Sequence, residues 1–321
     1  MSLIEKAVER LDKLKQAGAQ ISEEALPLRK ATNDGELKGG VIATPVSAPV
    51  EELVKPEVAA SKHPTAAVEI DLARLATLGM VTPNEPKSPI AEQYRLIKRP
   101  LIQNAQGRGA SAINAANLIM VTSSLPGEGK SFTAINLAMS IAMELDHTVL
   151  LVDADVSKPS VLKTLGLKGT RGLMDVLVGD KPDLSEVLLR TNVDKLSILP
   201  AGMAHPRATE LLASDGMNQL LDEIATRYSD RIVIFDSPPL LVTTESRTLA
   251  THMGQVVMVV EANRTTHATV QHAVATIDAC PVKMILLNKA GDSGPGGYYG
   301  YGYGYGYGYG YGAGEERAEA A

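Results

Sequence analysis

Gly127-Glu128-Gly129-Lys130-Ser131, within the run VTSSLPGEGKSFT at 121–133, joins two backbone-permissive residues to an amine and a hydroxyl. Glycines at such spacing let the chain curl so that successive N–H groups face one anion. A strand-length apolar run at 117–122 precedes the segment and a helical pattern at 131–145 follows it. The helix N-terminus therefore adds its dipole to the same anion. Strand, loop and helix in that order are the context of a phosphate-binding loop. In such a loop Lys130 reaches the β- and γ-phosphates of a nucleotide and the Ser131 hydroxyl ligates Mg²⁺. Ser124 stands where G-x-x-x-x-G-K-[ST] places its first glycine, so the loop is a variant of that pattern. The expected ATP-binding set is Ser124, Pro126, Gly127, Glu128, Gly129, Lys130, Ser131, Phe132 and, far along the chain, Asn288.

Two acidic strand ends accompany the loop. VLLVDAD at 149–155 ends in Asp153 and Asp155, and IVIFD at 232–236 ends in Asp236, ahead of Ser237-Pro238-Pro239. Ligands of open parallel sheets sit beyond the carboxyl ends of the strands. The three carboxylates are therefore expected to converge beside the loop. Mg²⁺ is usually held by one or two carboxylates together with substrate phosphates. A remaining carboxylate can take the proton of a hydroxyl nucleophile. The reading places Ser131, Asp155 and Asp236 on the metal side and Asp153 as base, although residue order alone does not rank the three. Asn288, in LLNKA after the last apolar run, either hydrogen-bonds a purine edge or satisfies a turn.

The elements that must position these groups are regular from 117 onward. Apolar runs at 117–122, 148–152, 195–199, 231–236, 255–260 and 282–287 alternate with helical patterns at 131–145, 216–228 and 266–278. Such alternation predicts an α/β fold with a mostly parallel sheet flanked by helices. Ser88 as cap and Pro89 at the first position predict a helix over 89–105. Residues 2–17 carry apolar positions at helical spacing behind a Ser2/Glu5 capping box. They read as a separate N-terminal amphipathic helix over 1–17. Prolines punctuate 18–88 with little apolar periodicity, the pattern of a flexible linker. The P-loop domain is expected over 89–290.

Composition excludes several classes. The 321 residues carry 31 Lys+Arg against 37 Asp+Glu, a net charge of -6. Dispersed, mildly acidic charge argues against nucleic acid as partner. Cys280 is the lone cysteine, which precludes an intrachain disulfide and fits a reducing cytoplasm. The six His show no metal-ligand spacing, no apolar run reaches bilayer length, and MSLIEKAVER lacks a secretion signal.

The aromatics are skewed. There is no Trp, and of ten tyrosines eight are Tyr298, Tyr299, Tyr301, Tyr303, Tyr305, Tyr307, Tyr309 and Tyr311. Alternating glycine makes ordering of this stretch entropically costly, so 291–321 is expected to be a disordered tail. It is either a self-associating segment or a multiple phospho-acceptor. Each phosphate adds about -1.5 to -2 charges, or roughly -12 to -16 for eight. Tyr301 is thirteen positions past Asn288, a Gly-rich span of about 20 Å r.m.s.. That reach extends to a neighbouring subunit's nucleotide site.

Taken together, LPGEGKS, LLVDAD, IVIFDSPP and the C-terminal tyrosine cluster resemble the bacterial tyrosine kinases (BY-kinases) of polysaccharide export, over roughly 85–312. MSLIEKA and EQYRLIKRPL resemble the stand-alone cytoplasmic subgroup. The resemblance implies a P-loop NTPase fold of the deviant Walker, partition-ATPase-like type. It also implies ATP and Mg²⁺, transfer in trans to the tail tyrosines, and regulation of exopolysaccharide synthesis, export and chain length. Its implied partners are a membrane chain-length-determinant protein as activator, a tyrosine phosphatase as counter-enzyme and a homo-oligomeric ring. The cytoplasmic chain would be recruited to the inner face of the membrane. The family's Glu-x-x-Arg-x-x-Arg oligomerisation helix is matched by Glu92 and Arg95, but Lys98 replaces the last Arg, with Arg99 beside it. Lys lacks the planar fork of Arg. The alternative is a partition-type ATPase switch with a self-associating tail. Those ATPases carry a signature Lys near the loop start, where this chain has Leu125. A non-enzymatic nucleotide-binding scaffold is the third reading.

Overall fold

The computed structural model describes residues 66–169, 171–178, 183–227 and 231–291. The chain divides into two units, 1–58 and 59–321, and all described residues belong to the second. The expected helix over 1–17, the first part of the expected linker and the tyrosine cluster lie outside the described residues.

In chain order the elements are β1 (Ala66–Val68), α1 (Leu72–Thr77), α2 (Pro89–Ala105), β2 (Leu118–Ser123), α3 (Lys130–Ala142), β3 (Thr148–Asp153), α4 (Val161–Leu165), α5 (Leu173–Leu177), α6 (Leu184–Val187), β4 (Leu189–Thr191), β5 (Leu196–Leu199), α7 (Ala208–Leu212), α8 (Asp215–Arg227), β6 (Arg231–Asp236), α9 (Glu245–Ala250), β7 (Gln255–Glu261), α10 (His267–Ala275) and β8 (Val282–Asn288). The strands form one sheet in the order β1-β4-β5-β3-β6-β2-β7-β8. Every pairing is parallel except β4 with β5. The expected α/β class and mostly parallel sheet are present, with strand ends close to those read from the apolar runs.

Side-chain alternation splits each central strand between two cores. Ile119, Val121, Val149, Leu151, Ile232 and Ile234 face a cluster built with α2 and α3. Leu118, Met120, Leu150, Val152, Val233 and Phe235 face a second cluster built with α8, α9 and α10. Burial on both faces is why these strands read as unbroken apolar runs rather than alternating ones. In α2, the Ser88 hydroxyl accepts the Ala91 N–H and Pro89 opens the helix, while Pro100 is carried inside it.

The expected linker is too long at its C-terminal end. Residues 66–88 include β1 and α1, and Ile70, Leu75, Met80 and Val81 are buried in the first core. Their apolar side chains are shared among a strand, a helix and a turn, so no single period reveals them. The Asn136 side chain in α3 holds this segment, accepting the Val81 N–H at 2.6 Å while its Nδ2 donates to the Phe132 carbonyl. Asn136 is fully buried. Asn136→Ala should therefore cost roughly 1–3 kcal/mol through the orphaned Val81 N–H, read as a lower urea midpoint with unchanged slope.

Candidate active site

β2 delivers the chain into the phosphate loop at the carboxyl end of the sheet. Gly127 (φ 88°) and Gly129 (φ 101°) are left-handed, a region that L side chains rarely occupy. Gly129 is required twice, because a Cβ there would meet Asn288 Nδ2 at 2.0 Å. It also caps α3, whose first residue is Lys130.

Lys130 Nζ lies 2.7 Å from Asp155 Oδ2, 3.9 Å from Asp236 Oδ1 and 3.4 Å from Ser131 Oγ. Burial opposes its charge, but the carboxylates of Asp236 and Asp155 outweigh that penalty and hold the ammonium above the usual lysine range. Asp155 Oδ1 also accepts the Lys158 N–H at 3.1 Å.

Asp153 and Asp236 are register partners at the ends of β3 and β6. Sheet pairing therefore sets two buried carboxylates side by side. Asp153 Oδ2 accepts the Ser160 and Val161 N–H groups at 3.1 and 3.0 Å. Burial, then the Asp236 charge, push Asp153 up to about 7, against those two bonds. Burial likewise pushes Asp236 up to about 6, with Lys130 pulling it back.

Asp153 Oδ1 and Ser124 Oγ are buried without a hydrogen-bond partner among the described residues, and the Asp236 oxygens have only the Ser131 and Ser160 hydroxyls to stabilise them. Buried polar atoms normally have partners, so oxygens left over beside a phosphate loop fit a bound cation and its nucleotide. Among the described residues no three His, Cys, Asp or Glu side chains form a self-sufficient metal cage. Mg²⁺ characteristically takes one or two carboxylates plus substrate phosphates.

The structure thus brings together Ser124, Gly127, Gly129, Lys130, Ser131, Asp153, Asp155 and Asp236. Glu128 points away from the loop's open side: its buried carboxylate accepts the Leu125 N–H at 2.6 Å and the Thr265 hydroxyl. Pro126 is exposed on the loop, and the Phe132 side chain packs against the first core. Asn288 donates its Nδ2 to the Glu128 carbonyl at 2.9 Å. Its amide nitrogen is thus spent on the loop itself.

The α2 residues separate. Glu92 pairs with Arg95, which also donates to the Pro86 carbonyl, and both are well exposed. Lys98 turns inward, with only 4% of its side chain exposed, donating to the Ser140 carbonyl at 2.5 Å and pairing with Glu144 at 2.7 Å.

Sequence reading missed Ser160, whose hydroxyl donates to Ser131 Oγ at 2.8 Å. It also missed Glu261 and Thr265 around the loop. None lies in a recognisable pattern, since each meets the site only through sheet pairing.

A parallel sheet with acidic strand ends flanking a glycine-rich strand-to-helix loop defines a P-loop nucleotide-binding domain. Residues 116–287 match a family model described as an AAA domain. The chain belongs to the bacterial tyrosine-protein kinase family. It is 33% identical over 225 residues to the tyrosine-protein kinase YwqD of Bacillus subtilis, covering 69% of this chain and 91% of that one. To the tyrosine-protein kinase Wzc of Salmonella typhimurium it is 31% identical over 174 residues, 54% of this chain but 24% of that longer protein. The solved kinase domain of VpsO superposes with a TM-score of 0.52 at 29% identity, covering 64% of this chain and all of that one.

Proposed function

We propose that the protein is an ATP-dependent tyrosine autokinase that phosphorylates its own C-terminal cluster, Tyr298 to Tyr311, in trans within an oligomer. The observation that carries this is the Asp153–Asp236 pair: two buried carboxylates in register beside Lys130, one of them with an oxygen to spare and a pKa of about 7. A base poised near the working pH suits removal of a proton from a hydroxyl.

In this account the loop N–H groups and the α3 N-terminus hold the phosphates. Lys130, now neutralised by Asp155, is the ammonium for which a polyphosphate competes. Ser131, Asp155 and Asp236 would hold Mg²⁺, which when bound neutralises phosphate charge. Asp153 Oδ1 accepts the proton of the incoming tyrosine hydroxyl. The phenolic oxygen bonds to the γ-phosphorus as the bond from that phosphorus to the bridging oxygen breaks, leaving ADP and phosphotyrosine. Catalysis comes from positioning and charge compensation. Tyr94 is not an acceptor in this scheme: it is buried, and burial pushes its hydroxyl up to about 12.

Oligomerisation through α2 rests on Glu92, Arg95 and Arg99, which stay exposed, and on the exposed Leu96 beside them. A pocket of about 310 Å³ lined by Pro86, Arg95, Arg99, Met143 and Glu144 adjoins the helix. Lys98 contributes by fixing α2 on α3 rather than by contacting a neighbour. Among the described residues no helix is long and apolar enough to cross a membrane. Attachment to the inner membrane face would run through a chain-length-determinant partner, which would also activate the kinase. A role in exopolysaccharide synthesis and export, and reversal by a tyrosine phosphatase, complete the proposal.

Mixing tests the trans step. Lys130→Met chains should gain phosphotyrosine when incubated with ATP, Mg²⁺ and active chains truncated after Gly291, with mass spectrometry placing it between Tyr298 and Tyr311. Steady phosphate release with no label on either chain would instead support the partition-type ATPase.

A further inference from the structure

The ends of β7 and β8 make an unusual investment in the backbone of the phosphate loop. Lys289 Nζ donates to the Gly127 carbonyl at 2.7 Å and Asn288 Nδ2 to the Glu128 carbonyl at 2.9 Å. In a trans peptide the carbonyl and the following N–H point in opposite directions. Drawing these two carbonyls toward β8 therefore turns the N–H groups of Glu128 and Gly129 the other way, as donors for an anion in the loop. The Glu128 carboxylate reinforces the hold, accepting the Thr265 hydroxyl and the Glu261 N–H. Lys289 is further fixed by Glu261 Oε1 at 3.2 Å. It adopts a left-handed backbone, φ 55°, a conformation that persists in a non-glycine residue only where its surroundings impose it.

We propose that Asn288 and Lys289 are positioning residues for phosphate binding: they hold the Gly127 and Glu128 carbonyls so that the loop N–H groups are set before the nucleotide arrives. Pre-set donors cost no reorganisation on binding. The inference rests on the phosphate-loop part of the functional reading and not on transfer to tyrosine.

It makes a prediction that a base contact would not. Inorganic tripolyphosphate has no purine, so a residue that orders the loop must affect it as much as ATP. Dissociation constants for ATP and for tripolyphosphate, both with Mg²⁺, should be measured by calorimetry on the full chain and on Asn288→Ala, Lys289→Ala and Lys289→Arg. The expected result is about tenfold weaker binding of both ligands, by a common factor, in the two alanine variants. Lys289→Arg, which keeps a long donor, should retain most of the affinity. Lys289 has 46% of its side chain exposed, so Lys289→Ala should unfold at the wild-type temperature. Loss of ATP affinity with tripolyphosphate binding intact would overturn the proposal in favour of a base-reading role. Unchanged binding of both ligands would overturn it too. If the common factor appears in a chain that makes no phosphotyrosine, the kinase reading fails and this one stands.

Discussion

Lys130→Met should reduce phosphotyrosine formation by at least about two to three orders of magnitude, the scale of losing a charge that stabilises a transition state. Met keeps the length of the side chain and removes only the ammonium. Two buried carboxylates now flank that ammonium, Asp155 at 2.7 Å and Asp236 at 3.9 Å. Without it they face each other and the incoming phosphates uncompensated. The variant should therefore lose nucleotide affinity as well as turnover. ATP titration and a phosphotyrosine time course measure the two separately. A variant that binds and transfers normally would remove Lys130 from the site.

Asp153→Asn carries the second large effect, and it acts in two directions. Removing a general base costs typically about 10²–10⁴-fold in rate. In the wild type, kcat/KM should rise with pH through about 7 and 6, apparent values that belong to the Asp153–Asp236 pair. The Asn variant should lose the upper part of that rise. Stability should move the opposite way. The folded-state pKa of Asp153 lies above its ordinary value of 3.8, so the folded protein binds the proton more tightly than the unfolded chain. The stabilisation that this proton provides is complete below about pH 3.8 and is lost as pH rises through about 7. Asn mimics the protonated form and can still accept the Ser160 and Val161 N–H groups. Asp153→Asn should thus leave stability near pH 4 almost unchanged and raise it at pH 8. At about 1.4 kcal/mol per pKa unit, the gain is on the order of a few kcal/mol. Denaturant melts at the two pH values measure it. Equal stability at pH 8 would mean that the carboxylate is not held under electrostatic tension.

The parts of this site that were legible in the sequence are those whose chemistry is local. LPGEGKS announces its loop because glycine, lysine and serine must be neighbours there, and VLLVDAD and IVIFD announce buried strands because both faces are covered. What was hidden depends on contacts between distant segments. The register that sets Asp153 against Asp236 is a property of β3 pairing with β6. Ser160 and Thr265 reach the site from two separate connections, and each alone is an ordinary polar residue in a loop. β1 and α1, three and six residues long, are too short to show a period, so the segment from 66 to 88 reads as linker. Lys98 looked like a surface residue in an interface pattern. Its burial follows from Glu144 and the Ser140 carbonyl, neither of which its own helix reveals.

The central claim is that this loop and carboxylate pair pass the γ-phosphoryl group of ATP to tyrosine. Prolonged incubation of the purified full chain with ATP and Mg²⁺, followed by quantification of phosphotyrosine and free phosphate, tests it most directly. ATP-dependent phosphotyrosine is expected, forming at least about a hundredfold more slowly in both Lys130→Met and Asp153→Asn. Release of inorganic phosphate from wild-type protein with no phosphotyrosine would contradict it.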